Sequence, residues 1–189
     1  MKFWTVQSKE VMDIIESNDA YYPDFSKSRY ILNDKPMNSL YSFVLNSFNS
    51  VNHESYKGLV FSFVKLCNHN VVTFSDYNEF TLYIKKRKDI VGPMWSCFSK
   101  NSSILEIDMI DNFNPLYIDF NDYQIIMPID PMIEKMFGNS GGEYKDILMS
   151  NMQSGIFQMT PNYACGLIQA HLPYIKKENI VNVYPFFKI

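Results

Sequence analysis

Ile104-Leu105-Glu106-Ile107-Asp108-Met109-Ile110 alternates well enough between apolar and polar residues to read as a β-strand, and that reading decides the fold class. Leu116-Tyr117-Ile118-Asp119-Phe120 follows as a second strand. Further on, Leu167 to Leu172 and Val181 to Phe187 read as two more, joined through Pro173–Asn179. Between them the pattern turns helical. Asp130-Pro131 suits an N-cap and a first helical position, and Gly138 stops that short helix. Asn139-Ser140-Gly141-Gly142 is a turn or loop, and Glu143 to Gln153 is a helix ended by Gly155.

Upstream of Ile104 the chain is mostly helical. Phe3-Trp4-Thr5-Val6-Gln7 is short and β-prone, and Ser8 can cap a helix over 9–17, where Val11, Met12, Ile14 and Ile15 recur near a 3.6 period. Pro23 breaks the chain after Tyr21-Tyr22. Within 39–49, Leu40, Phe43, Val44, Ser47 and Phe48 form one helical face. Residues 56–67 are apolar enough for a buried helix or a buried strand, and the helix is favoured. Asp76 and Glu79 make an Asp-x-x-Glu capping pattern that opens a helix over 77–87. A helix-rich first half and a strand-rich second half predict an α+β fold rather than a regular doubly wound sheet.

The chain has 189 residues, enough for one domain with a sizeable core, and no repeat or linker divides it. Hydrophobic residues make up 47% and charged residues 20%, which excludes a disordered chain. Aromatic residues reach 16%, a supply that builds a core first and lines pockets second. The net charge is −3 and the only arginines are Arg29 and Arg87, which argues against a broad nucleic-acid surface but not against a site for one nucleotide. The basic run Lys85-Lys86-Arg87-Lys88 reads as a helix C-terminus. Three widely spaced cysteines, Cys67, Cys97 and Cys165, point to a reducing cytoplasm rather than a disulfide framework. The first residues lack the apolar core of a signal peptide, and no apolar run approaches the ~18 residues that span a bilayer.

Few constellations carry chemistry. Cys67-Asn68-His69 is the sole local pair of metal-ligand types, without the second pair of a structural zinc site, so no metal is expected. No cysteine has a nucleophile signature around it, and there is no nucleophile elbow or P-loop. Glu106, Asp108, Asp111, Asp119 and Asp122 cluster, and Glu106 and Asp108 share one strand face; the solvent face of an edge strand explains them better than acid–base chemistry. In Leu167-Ile168-Gln169-Ala170-His171-Leu172, period-2 geometry sets Gln169 and His171 side by side. A polar outer face is the plain account of that pair, and a hydrogen-bonding site with an imidazole that titrates near neutrality is the functional one.

Dispersed short stretches resemble a small bacterial domain family known only as a domain of unknown function. They are Phe3-Trp4-Thr5-Val6-Gln7, Met94-Trp95, Leu105-Glu106-Ile107, Tyr117-Ile118-Asp119-Phe120, Ile168-Gln169-Ala170 and Val181-Asn182-Val183-Tyr184-Pro185-Phe186. More distantly, Gln169-Ala170-His171-Leu172-Pro173 followed by Ile180-Val181-Asn182-Val183 resembles the late strand of DarT-type ADP-ribosyltransferases. That resemblance implies an ADP-ribosyltransferase-like fold with NAD as the candidate cofactor. His171 stands where those enzymes carry a catalytic glutamate, and Thr5 and Gln7 stand where an Arg or His is usual. An imidazole cannot supply the negative charge that a forming oxocarbenium needs, so the resemblance bears on fold more than on activity. It implies a nucleotide cleft near the 167–172 strand. Trp4 and Trp95 would stack there, Gln7 and Gln169 would hydrogen-bond sugar or amide groups, and His171 would stand beside them. The rival expectation is a non-enzymatic protein-interaction or inhibitor protein carried by a mobile element, which suits an acidic, aromatic-rich chain with no complete catalytic set. Catalysis with Glu106 or Asp108 as the carboxylate ranks below both.

Overall fold

The computed structural model of the chain describes residues 1–28, 35–109, 113–121, 156–157 and 165–189. Among them the strands are β1 (Lys2–Gln7), β2 (Ala20–Tyr21), β3 (Val60–Cys67), β4 (Asn70–Val72), β5 (Ser103–Asp108), β6 (Leu116–Asp119), β7 (Ile156–Phe157), β8 (Leu167–Leu172), β9 (Ile175–Lys176) and β10 (Ile180–Pro185). The α-helices are α1 (Lys9–Asn18), α2 (Lys35–Asn52), α3 (Tyr77–Lys85) and α4 (Lys88–Trp95). The expected α+β class is borne out. The helices expected around 131–137 and 143–153, the 139–142 turn, Asp111 and Asp122 lie outside the described residues.

Local chemistry starts the helices where the sequence predicts. Ser8 Oγ accepts from the Val11 amide to open α1, and Asp19, at φ 59°, turns the chain out of it. Asp76 accepts from the Glu79 amide at 2.8 Å, and the Glu79 carboxylate reaches back to the Ser75 amide at 2.7 Å. A helix that sequence reading missed, α4, holds Pro93 inside it. Proline forfeits one intrahelical hydrogen bond, which a two-turn helix packed through Val91 and Trp95 tolerates.

The main sheet runs β10-β5-β1-β3-β8-β6-β7, with β4 attached to β3 as a hairpin. Every pairing is antiparallel except that of β6 with β7. Residues 60–67 are therefore a strand and not the favoured helix. Paired with β1 and β8, β3 is buried on both faces, and a strand covered on both sides loses the alternation that marks one. β8 is also interior, between β3 and β6.

The two faces bury different clusters. Phe3, Val60, Val64, Leu105, Ile107 and Ile168 pack with Ile15 of α1 and with Tyr174 and Ile175. On the opposite face Trp4, Phe63, Ile104 and Leu167 pack against Phe80 and Ile84 of α3 and Val91 and Trp95 of α4. Leu40, Val44 and Phe48 of α2 pack on Leu116 and Ile118 of β6. Two helical groups thus share one face of the sheet, above different strands. No helix of the described residues is long and apolar enough to cross a membrane.

Candidate functional site

A cavity of about 660 Å³ lies where the two helical groups meet the sheet, a size within the range of small-molecule sites. Phe61, Phe63 and Gln169, from adjacent strands β3 and β8, form its floor. Tyr41 of α2 borders it on one side, and Ile90, Pro93, Met94 and Cys97, from α4 and the turn after it, on another. Pro23, Asp24 and Phe25 close a third side, and the space runs past the end of β1 to Gln7.

Each wall has a physical cause. Phe63 and Gln169 are register partners, and Phe61 is the partner of His171, so a two-residue period aims all four side chains at the helical face. The Pro23–Phe25 segment is drawn in by the Phe25 amide, which donates to the Lys57 carbonyl at 3.0 Å. Gly58 makes that approach possible, because a Cβ there would stand 2.8 Å from the carbonyl carbon and oxygen of Pro23. The Phe25, Tyr41 and Phe61 rings pack together, with the closest centroids, those of Tyr41 and Phe61, 4.7 Å apart.

The polar groups in this apolar space decide what it can do. Gln169 is 6% exposed, and its side-chain amide has no hydrogen-bond partner among the described residues. Gln7 is oriented: its Nε2 donates to Thr5 Oγ1 at 2.7 Å. The Thr5 hydroxyl donates onward to the Phe61 carbonyl at 2.7 Å and can only accept from Gln7. Gln7 therefore keeps its Oε1 as a spare acceptor. Burial pushes the Tyr41 phenol up to about 12, so its O–H stays a donor. Asp24 is the one charged residue among the described lining residues. Hydrogen bonds from Ser26 hold its carboxyl below the usual range, and it is anionic at neutral pH.

The structure divides the five residues expected to form a cleft. Gln7 and Gln169 line the cavity; Trp4, Trp95 and His171 do not. Trp4 is fully buried, with Phe80 and Tyr184 stacked on it at 5.1 and 5.6 Å, so both faces of the indole are taken. Trp95 is enclosed by Phe63, Phe98, Phe186 and Phe187, and its indole N–H donates to the Phe187 carbonyl at 2.8 Å. His171 shares the helical face with Phe61 but stands beside the cavity at 0% exposure, which replaces the polar outer face expected for it. Its Nδ1–H donates to the Leu116 carbonyl at 3.0 Å, and its ring stands edge-on to Phe61. Burial lowers its pKa to about 4, so the imidazole is neutral at pH 7.

The carboxylates also differ from expectation. β5 is interior rather than an edge, and Glu106 is buried in it, accepting from Lys2 at 2.6 Å and Asn182 at 2.7 Å. Burial raises its pKa, but the bonds from Lys2, Asn182 and Tyr184 outweigh that and lower it overall. Asp119 is equally buried and accepts from the amides of Asn121, Cys165 and Gly166. Both are fully engaged in holding strands. No group of three or more metal-ligating side chains occurs among the described residues. A second depression is bordered, among the described residues, by Asp19, Ala20, Lys176, Lys177 and Glu178, none of them a buried polar group.

Sequence reading missed Tyr41, Asp24, Phe61 and Cys97 as lining residues. Phe61 was findable, since reading 60–67 as a strand puts it on the floor; Tyr41 and Cys97 arrive only through the packing of α2 and α4, and Asp24 through the Pro23–Phe25 approach to Gly58. Comparison with family models, with curated proteins and with solved structures finds no match to this chain.

Proposed function

We propose that the chain binds a nucleotide-class ligand in the cavity beside the 167–172 strand, within an ADP-ribosyltransferase-like α+β domain for which NAD is the candidate cofactor. The observation that carries the reading is the Gln169 side chain, which lines the cavity from the interior strand β8 beside Phe61 and Phe63. A planar heterocycle between Phe61 and the α4 side would meet it with a complementary donor–acceptor edge. No catalytic step is assigned, because the described lining residues offer no nucleophile–base pair and His171 stands where a carboxylate would be needed.

Thermal unfolding with and without millimolar NAD, ADP-ribose, simple nucleotides and their nucleosides tests this. A ligand at about a hundred times its dissociation constant adds roughly 2.7 kcal/mol. The expected outcome is a raised melting temperature for at least one of them, lost in Gln169→Ala. An unchanged melting temperature with all of them sinks the proposal.

One observation favours a second reading, a non-enzymatic protein-interaction or inhibitor protein. The terminal strand of the sheet path, β10, exposes Val181 and Val183 at 44% and 53%. A pull-down that lost its partner in a Val181→Lys, Val183→Lys variant, with no nucleotide effect, would establish that reading instead.

A further inference from the structure

We propose that Cys67 and Cys165 form a site of reversible oxidation, closing into a disulfide that ties β3 to β8. The inference goes beyond what the cavity binds and stands without it.

The strand register carries it. β3 and β8 pair antiparallel from Val60 with Leu172 to Lys65 with Leu167. Beyond that pair the Leu66 amide donates to the Gly166 carbonyl at 2.8 Å, so the ladder runs one step further and sets Cys67 opposite Cys165. A position next to a hydrogen-bonded pair is of the non-bonded kind. Its Cα atoms stand about 4.5 Å apart in a regular ladder, within the roughly 4.4–6.8 Å that a disulfide spans. Gly166, at φ 72°, turns the chain here, but Cys165 is held: Asp119 accepts from its amide at 3.2 Å, and Arg87 Nε donates to its carbonyl at 2.7 Å. Both thiols lie on the helical face. Cys67 follows Lys65 by two residues, and Lys65 reaches Glu79 of α3, while Cys165 packs with Leu167 in the cluster under α3 and α4. Burial raises the Tyr83 pKa, Arg87 opposes the rise, and Cys165, Asp119 and Cys67 add to it, which puts both sulfurs within electrostatic reach of one phenol.

The two thiols differ in access, which orders the steps. Cys67 is exposed, whereas Cys165 is half-buried with its Sγ 3.3 Å from Oδ1 of Asp119, on the β6 side of β8. Burial pushes the Cys165 pKa up to about 11. Cys67 therefore reacts first. Its sulfur attacks a low-molecular-weight disulfide such as oxidised glutathione, forming a mixed disulfide and releasing one small thiol. Rotation about χ1 then swings the Cys165 sulfur from β6 toward β3. It attacks Sγ of Cys67 and releases the second small thiol, which carries off the Cys165 proton. Two protein thiols lose two electrons and two protons, and the small disulfide gains them. A reducing compartment returns the pair to the dithiol.

Equilibration of the full chain with glutathione buffers of rising oxidised fraction, then acid quenching, alkylation and peptide mapping, tests the proposal. Expected is an intramolecular bridge between Cys67 and Cys165 that leaves Cys97 a thiol and is reversed by dithiothreitol. It should raise the melting temperature by about 5 °C or more. Cys97→Ser should form the same bridge. Cys165→Ser, which keeps a donor for Asp119, should stop at the mixed disulfide on Cys67. In denaturing urea the chain should instead favour Cys67 with Cys97, the pair nearest in sequence, because the shorter loop costs less entropy to close. A native bridge to Cys165 thus reports the register and not the chain. Thiols or separate glutathione adducts at Cys67 and Cys165 in the most oxidising buffer overturn the proposal. So does a bridge through Cys97 in the folded chain, or the same mixture of pairings with and without urea.

Discussion

His171 shows how far a single environment moves a side chain from the role its sequence suggests. In Gln169-Ala170-His171 the imidazole looks like a neutral-pH switch, yet it is sealed beside Phe61 with its pKa depressed to about 4 from the ordinary 6.5. The unfolded chain therefore binds a proton more readily than the folded one between those values. Stability contributed by the neutral ring is fully present above about pH 6.5 and drains away as pH falls toward 4, by roughly 3 kcal/mol in all. Urea unfolding at pH 7.5 and pH 5 should show about 2 kcal/mol of that loss, and His171→Gln, which keeps a donor for the Leu116 carbonyl, should flatten it. Glu79 and Glu106, whose pKa values are lowered by their partners, lose their contributions only further into acid. An unaltered acid limb in His171→Gln would show that the imidazole does not govern it.

At the level of elements, the site depends on one close approach of backbone to backbone. Gly58→Ala forces a methyl group into the Pro23 carbonyl, and it should destabilise the fold by about 1–3 kcal/mol while displacing the wall that holds Asp24 and Phe25. Gly166→Ala provides the comparison. Gly166 has φ +72°, and its carbonyl accepts from Tyr83 and from the Leu66 amide, away from the cavity. Alanine there should cost a similar amount through backbone strain and a Cβ placed 3.0 Å from the Tyr83 hydroxyl. Ligand affinity should fall in the first variant and hold in the second; equal affinities would mean that the Pro23–Phe25 wall does not touch the ligand. The same elements explain what was legible beforehand. α1, α3 and the strands at 103–108 and 167–172 carry local signals, namely caps and alternation, that survive folding unchanged. β3 does not, because burial on both faces erases its period, and α4 is hidden by a proline that usually marks a break. Of the site, Gln169 and Gln7 could be picked out as polar residues on apolar strands. The indoles could not be told from core, since a tryptophan that stacks on a ligand and one that stacks on Phe80 look alike in a sequence.

Across the whole molecule, the aromatic supply noted in the composition goes first to cohesion between distant segments. Tyr184 stacks on both Trp4 and Tyr77, Phe186 and Phe187 pack on Trp95, and the Tyr77 hydroxyl donates to the Pro185 carbonyl. A chain ending at Asn179 loses all of these together with the Asn182 and Tyr184 bonds to buried Glu106. It should show no cooperative thermal transition, whereas removal of Lys188 and Ile189 alone should leave the transition intact. A sharp melt in the longer truncation would mean that β10 is an accessory to the sheet.

The strand order also sets a timetable. β1 precedes β3 and β5 in the chain but lies between them in the sheet, and β5 must then wait for β10. Asn182 meets Glu106 across 76 residues of chain. Until that late segment emerges, the nascent chain carries a buried-type carboxylate and a half-covered indole with nothing to close over them. Closing the sheet therefore waits on a contact of high sequence separation, the kind that slows folding and leaves strand edges open to misassociation in the meantime.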